Sequence, residues 1–169
     1  MKHIYFIILF LSFGALQAQS LEKVRAAYTT ASDSKENATA FAELIANAPT
    51  TDVVLSAYKG ASKMILAKFG GGRVALLKEG KPLLENALKQ QPQNAELHLI
   101  RLSVQEHLPK VVPYRNNITA DKDFILAHYA QQSPELQKHI AGFVKKSKVF
   151  NDEEKKKMGL LTMLKPSLA

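Results

Sequence analysis

The densest group of polar side chains within an apolar helical pattern lies between Asn94 and Pro109. On a helix, His98, Arg101 and Gln105 stand at positions i, i+3 and i+7 and therefore share a face. An arginine on such a face is suited to hold a carboxylate or a peptide, because its planar guanidinium donates two parallel hydrogen bonds. This stripe is a candidate partner-binding site with Arg101 as its anchor.

The same stripe has a structural interpretation, which we favour over binding. Asp121 follows in the first turn of the next predicted helix and is a suitable ion-pair partner for Arg101. The pair would form a buried brace that holds the proline-bounded link containing Tyr114. The segment also resembles a pattern in uncharacterised secreted helical proteins of Gram-negative bacteria, a resemblance that implies no particular activity.

Several common chemistries lack their residues or their spacing. The chain has no cysteine, which excludes thiolate catalysis and cysteine-ligated zinc. No pair of histidines has the i, i+3 or i+4 spacing of helical metal ligands, and the glycine-rich segments do not match a phosphate-binding loop. The sequence therefore predicts a non-enzymatic protein without catalytic residues, metal or cofactor. An acid pair assembled in space remains the enzymatic alternative, because such a pair has no sequence spacing.

Two short lysine clusters make the last third of the chain strongly basic. One ends a predicted helix and the other lies in the following one, where the residues from 151 to 154 have the pattern of a helix start. The clusters contain Lys145, Lys146, Lys148, Lys155, Lys156 and Lys157. Together with the apolar residues that follow, they form a candidate surface for anionic lipid or polysaccharide, or a docking helix that covers the core.

The chain begins with a pattern that predicts export. Lys2 precedes an apolar run that is too short to span a bilayer, and small residues follow it. We expect residues 1–20 to be a signal peptide cleaved after Ala18 or Ser20, which gives a soluble periplasmic or extracellular protein. The formal charge of +8 then falls to +7, because Lys2 is removed. Nucleic acid is not an expected partner of an exported protein.

The mature chain has the pattern of an all-α protein. Apolar residues recur at helical spacing throughout, and no segment shows sustained alternation of apolar and polar residues. We expect six to eight helices in residues 21–165, arranged as stacked helical hairpins in a repeat-like or compact bundle, with 166–169 as a frayed tail. Asp52 and Asn94 are expected to cap helices, and Pro82 to kink or divide one.

One segment resembles a tetratricopeptide repeat. Gly80, Leu84, Ala87 and Pro92 have the spacing of small residue, large apolar residue, alanine and proline in the second helix and exit turn of that repeat. The resemblance covers about one unit, from Gly80 to Ala95. Where the next unit of that family has Leu-Gly and then Tyr, this chain has Arg101, Leu102 and Gln105, so the pattern does not continue. The resemblance implies stacked helices with a concave face that binds a protein partner.

These observations lead to two functional hypotheses. The first is a protein-interaction or scaffold module of the cell envelope, whose partner is another envelope or exported protein. The second is association with anionic lipid or polysaccharide through the basic C-terminal third. The oligomeric state has no signature in the sequence.

Overall fold

The computed structural model describes residues 21–160, and every structural statement below concerns these residues. The predicted signal peptide, residues 161–165 of the predicted domain, and the predicted tail lie outside the described residues. Eight α-helices and one 3₁₀ turn make up the described fold, which contains no strand. They are α1 (residues 21–28), α2 (Lys35–Ile45), α3 (Val53–Phe69), α4 (Arg73–Gln90), α5 (Ala95–His107), α6 (Ile118–His128), the 3₁₀ turn (Tyr129–Gln131), α7 (Pro134–Lys146) and α8 (Asp152–Lys157). The fold is all-α, as the sequence predicts.

Side-chain caps define most helix starts. The side chains of five residues accept hydrogen bonds from backbone N–H groups in the first turn of the following helix, which otherwise have no partner there. Asn151 and Glu154 form a reciprocal capping box at the start of α8. The five caps are Ser34, Asp52, Asn94, Ser133 and Asn151. The helix α6 begins at Ile118 after Asn117, which places Asp121 in its first turn, as the sequence predicts.

The helix α4 continues through Pro82, so of the two expected alternatives, a kink or a division into two helices, the division is wrong. A proline inside a helix costs about 3 kcal/mol. The cost is offset because α4 packs along α3 and buries Leu84, Ala87 and Leu88. Local preference therefore yields to tertiary packing at this position.

Two glycines bring α3 and α4 into close contact. A Cβ on Gly80 would lie 2.5 Å from the carbonyl oxygen of Gly60, and a Cβ on Gly60 would lie 2.6 Å from the carbonyl oxygen of Gly80. Neither position accepts a side chain without moving a backbone. Both glycines are therefore required by the packing of this helical hairpin.

The helix α5 lies at the centre of the core and packs its apolar residues on two sides. Leu97, Ile100 and Val104 pack into a cluster formed with α1 to α4. Leu99 and Leu102 pack on the other side, against a second cluster formed with α6, α7 and Phe150. This central position matters for function because α5 contributes polar side chains to both of the buried networks described next. No described helix is long and apolar enough to cross a bilayer.

Candidate functional site

The residues of the predicted polar stripe meet inside the protein in what we call the Asp121 network, formed by Glu85, His98, Arg101, Tyr114 and Asp121. Arg101 donates from Nε and Nη2 to the two carboxylate oxygens of Asp121 at 2.8 and 2.7 Å. It also donates from Nη1 to Oε2 of Glu85 at 3.1 Å. All three guanidinium nitrogens are thus bonded to carboxylates within the same chain.

The other members of the Asp121 network are also bonded internally. Nδ1 of His98 lies 2.7 Å from Oδ1 of Asp121, and its Nε2 lies 2.9 Å from the carbonyl oxygen of Pro92. The hydroxyl of Tyr114 donates to Glu85 and so ties the link after α5 to α4. Asp121 is fully buried, and the Arg101 side chain is 12% exposed. This is the geometry that the brace interpretation requires.

Gln105 completes the predicted stripe and is also directed inward. It is fully buried, donates to Asn117 Oδ1 at 3.3 Å, and accepts from the Asn117 backbone N–H at 3.2 Å. The stripe therefore holds the start of α6 in place. The polar partners described for its three residues all lie inside the fold.

The lysine clusters lie on the surface around the end of α7 and α8. Lys155 differs from the others because its Nζ donates to the carbonyl oxygen of Ser147 at 3.0 Å, which fixes α8 against the end of α7. The remaining five side chains are exposed, namely Lys145, Lys146, Lys148, Lys156 and Lys157. Two acidic residues, Asp152 and Glu153, are exposed in the same short helix.

A second buried network was not predicted from the sequence. We call it the Glu96 network, and it consists of Arg25, Tyr58, Glu96 and His139, one residue each from α1, α3, α5 and α7. Arg25 donates from Nε and Nη2 to the two oxygens of Glu96 at 2.7 and 2.6 Å. The hydroxyl of Tyr58 donates to the same carboxylate at 2.7 Å and lies 3.1 Å from Nε2 of His139. The network joins four helices at one point.

Burial governs the protonation of this network. Tyr58 is fully buried, and the loss of hydration raises its pKa well above the usual value, so the phenol keeps its proton. Burial lowers the pKa of His139 to about 4, which makes the imidazole neutral at neutral pH. The bidentate hydrogen bonds to Glu96 raise the pKa of Arg25. The network therefore carries one positive and one negative charge, and no net charge.

The sequence contained only partial signals for the Glu96 network. Tyr58 stands in the apolar stripe of α3, where a buried hydroxyl needs a hydrogen-bond partner. Glu96 looks like an ordinary acidic residue in the first turn of a helix. Nothing in the local pattern pairs it with Arg25, because 71 residues separate the two.

An open groove lies directly above the Glu96 network, between α1 and α7. It has a volume of about 520 Å³, and Arg25, Ala26, Pro134, His139 and Gly142 are among the residues that line it. A smaller cavity of about 70 Å³ lies beside it. The two spaces share His139, Gly142 and Thr29. We call the open space the α1–α7 groove and refer to Arg25 and His139 as its floor.

Gly142 leaves a part of the lining of the α1–α7 groove without a side chain. It lies inside α7, where glycine costs about 1 kcal/mol relative to alanine. A Cβ at this position would meet no described atom within 4 Å outside its own helix backbone. Unlike Gly60 and Gly80, this glycine is not required by close packing of the described residues. Gly142 lines both the groove and the cavity, and it leaves this part of their shared lining without a side chain.

The side chains that line this region can contact a partner through shape and hydrogen bonding. Among residues 21–160, no group of three or more His, Asp or Glu side chains is placed to hold a metal ion. Comparison with protein-family models, with curated proteins and with solved structures finds no match for this chain. The arguments for function therefore come from the α1–α7 groove, the two buried networks and the basic surface.

Proposed function

We propose that this protein is a non-enzymatic helical interaction module that binds a segment of another exported protein in the α1–α7 groove. The observation that carries the proposal is Gly142, which leaves the shared lining of the groove and the cavity without a side chain, at a cost in helix stability that packing of the described residues does not explain. The groove is 520 Å³ in volume, within the range of sites that bury small ligands or short peptide segments. The region from Gly80 to Ala95 resembles a tetratricopeptide unit, and this resemblance implies stacked helices that bind a protein partner, which supports the same proposal.

The buried networks support binding by a preformed surface. The Glu96 network fixes α1 and α7 relative to α3 and α5, because each helix supplies one of its four side chains. A groove with fixed walls loses little conformational entropy when it binds a partner. The role we assign to the Asp121 network is to brace α4, α5 and α6, while binding takes place at the α1–α7 groove.

The acids of the groove favour binding over hydrolysis. Glu22 and Glu135 line the groove and are exposed. The hydrogen bond of Glu135 with its own backbone N–H lowers the pKa of its carboxyl group. A general acid in glycoside hydrolysis needs the opposite shift, a raised pKa.

The proposal is tested by closing the groove. We expect Gly142→Phe to abolish capture of a crosslinked partner from an envelope extract, because the ring would occupy the groove beside His139. Gly142→Ala is the matched control, since it changes the same position and adds only a methyl group. Circular dichroism should show the same helical content for both variants. Equal capture by Gly142→Phe and the unmodified protein would refute the groove as the binding site.

A second function, association with an anionic surface, is favoured by the five exposed lysines around α7 and α8. Exposed charges bind such surfaces through long-range attraction that salt screens over about 8 Å at physiological ionic strength. We expect binding to vesicles of phosphatidylglycerol to fall steeply with salt and to be lost in Lys145→Gln/Lys146→Gln/Lys148→Gln.

The matched control removes the same charge from three exposed lysines elsewhere, as Lys35→Gln/Lys78→Gln/Lys110→Gln. Equal loss of vesicle binding in both triple variants would show that net charge alone is responsible and would refute a defined basic surface. Vesicle binding that persists at high salt would refute the electrostatic mechanism.

A further inference from the structure

His98, on α5, joins the turn between α4 and α5 to the first turn of α6. Its Nδ1 lies 2.7 Å from Oδ1 of Asp121, and its Nε2 lies 2.9 Å from the carbonyl oxygen of Pro92. A backbone carbonyl oxygen accepts hydrogen bonds and cannot donate them. Asp121 accepts from Arg101 through both of its carboxylate oxygens, so it is an acceptor as well. Both ring nitrogens of His98 therefore face acceptors.

A neutral imidazole satisfies only one of these two contacts. It carries one N–H and one lone pair, so in either tautomer a lone pair of His98 would point at an acceptor oxygen less than 3 Å away. The imidazolium has two N–H groups and donates to both oxygens. The contacts of Nδ1 in His107 and His128, each with one carbonyl oxygen, make no such demand, because a neutral ring with its proton on Nδ1 satisfies them.

The charges around His98 also favour the imidazolium. The Asp121 network contains two carboxylates, Asp121 and Glu85, and one guanidinium, that of Arg101. Tyr114 adds no charge, because burial raises the pKa of its hydroxyl well above the usual value. A proton on His98 brings the network to two positive and two negative charges. This balance matters because Asp121 is fully buried and the His98 side chain is only 12% exposed.

The ring of His98 also stacks on an aromatic face. Its centroid lies 3.9 Å from that of Phe124, with 15° between the planes, and His128 stacks on Phe124 at 4.0 Å. The face of a phenyl ring is negative and attracts a cation. The remaining charge near the network is that of Lys81, whose Nζ lies 5.0 Å from the centre of the Tyr114 ring and belongs to an exposed residue. Water therefore screens Lys81 more than it screens the contacts of His98.

We propose that His98 is a proton-dependent latch, an imidazolium that holds the α4–α5 turn to α6 by donating to Pro92 and Asp121 at once. When rising pH removes one proton, the other stays on Nδ1, because the carboxylate is the stronger acceptor. The Pro92 carbonyl then loses its donor, and the turn is released. The turn lines an open depression together with Gln132 and Leu136, so the change reaches the surface beside the start of α7. This inference goes beyond the proposed function and does not depend on binding in the α1–α7 groove.

The protonation of His98 is measured in the unmodified protein, with ¹⁵N-labelled histidine, by correlating ring protons with ring nitrogens at neutral pH. Protonated and bare ring nitrogens differ clearly in ¹⁵N shift. We expect two protonated nitrogens for His98. His139 is the control within the same spectrum, because its pKa of about 4 makes it neutral, with one protonated and one bare nitrogen. A bare nitrogen on His98 would overturn the inference, and this measurement requires no variant to fold.

The latch itself is tested by raising the pH until the His98 ring loses a proton. We expect the backbone amide signals of Gln93 and Asn94 to shift together with the ring, since both residues lie in the turn that Pro92 anchors. In His98→Gln these signals should no longer follow pH over that range. His107→Gln is the matched control, because it removes another histidine of α5, and it should retain the response.

Two results would overturn the latch. In the first, the amide signals of the turn stay constant while His98 loses its proton. In the second, they still follow pH in His98→Gln or cease to follow it in His107→Gln, which would assign the response to a different group. Neither result bears on partner capture, so the inference and the proposed function can fail independently.

Discussion

Replacement of Arg101 by alanine distinguishes a structural brace from a binding stripe. The substitution removes two hydrogen bonds to Asp121 and one to Glu85. Asp121 is fully buried and would keep only His98 as a described side-chain partner. Removing one member of a buried ion pair costs about 3–5 kcal/mol, because the other charge stays buried without compensation.

The expected cost lies at the lower end of that range. The Glu85 side chain is 27% exposed, so water can hydrate it after the arginine is removed. We therefore expect Arg101→Ala to lower the free energy of unfolding by about 3 kcal/mol. In a chain of this size, such a loss corresponds to a decrease in Tm of about 6–12 °C.

Chemical denaturation and thermal melting measure this effect directly. Arg73→Ala is the matched control, because Arg73 is exposed and its described bond is a contact of 3.3 Å with the carbonyl oxygen of Gly70. It should change stability by less than about 0.5 kcal/mol. A Tm for Arg101→Ala within about 2 °C of the unmodified protein would refute the brace, since it would place the loss below about 1 kcal/mol. Loss of partner capture with unchanged Tm would restore the stripe as the binding site.

Three further predictions concern the groove and the Glu96 network. In urea titrations, Gly142→Ala should stabilise the protein by about 0.5–1 kcal/mol, because a Cβ at this helix position meets no described atom. Gly80→Ala should destabilise the protein by about 1–3 kcal/mol, because a Cβ there would clash with the backbone of α3. The opposite order of the two effects would contradict the packing of α3 and α4. The pKa of His139 is about 4 in the folded protein and lies below the ordinary value of 6.5. As pH falls, the unfolded chain therefore binds a proton at this histidine before the folded protein does. The free energy of unfolding should decrease as pH falls from about 6.5 to about 4. That loss amounts to at most about 3 kcal/mol and should be absent in His139→Gln, so parallel pH profiles of the two proteins would contradict it. Tyr58→Phe removes the hydroxyl that donates to Glu96 and should cost about 1–3 kcal/mol in the same titrations, and a neutral effect would show that the network is not closed.

Helix positions were predictable because their signals are local. Capping side chains at Asp52 and Asn94 act within a few residues of themselves, and the two apolar faces of α5 indicate a central helix without reference to any other segment. The path through Pro82 was not predictable in the same way. It depends on the contact between Gly60 and Gly80, which lie on different helices.

The two polar networks show where sequence reasoning succeeds and where it stops. Arg101 and Asp121 belong to consecutive helices, so a pairing between them follows from the chain order, and the structure contains this pair. The partners Arg25 and Glu96 are 71 residues apart, and His139 comes from a third helix. A groove formed by α1 and α7 arises from the packing of the whole bundle, so no local pattern indicates it.

The proposal that a partner segment occupies the α1–α7 groove is tested most directly by site-specific photo-crosslinking. A benzophenone side chain is introduced at Ala26, an exposed groove residue, and in a second protein at Ala40, an exposed residue of α2 that does not line the groove. We predict that illumination in an envelope extract gives a discrete adduct from position 26 and none from position 40. An adduct from position 40 alone, or equal adducts from both positions, would contradict binding in the groove.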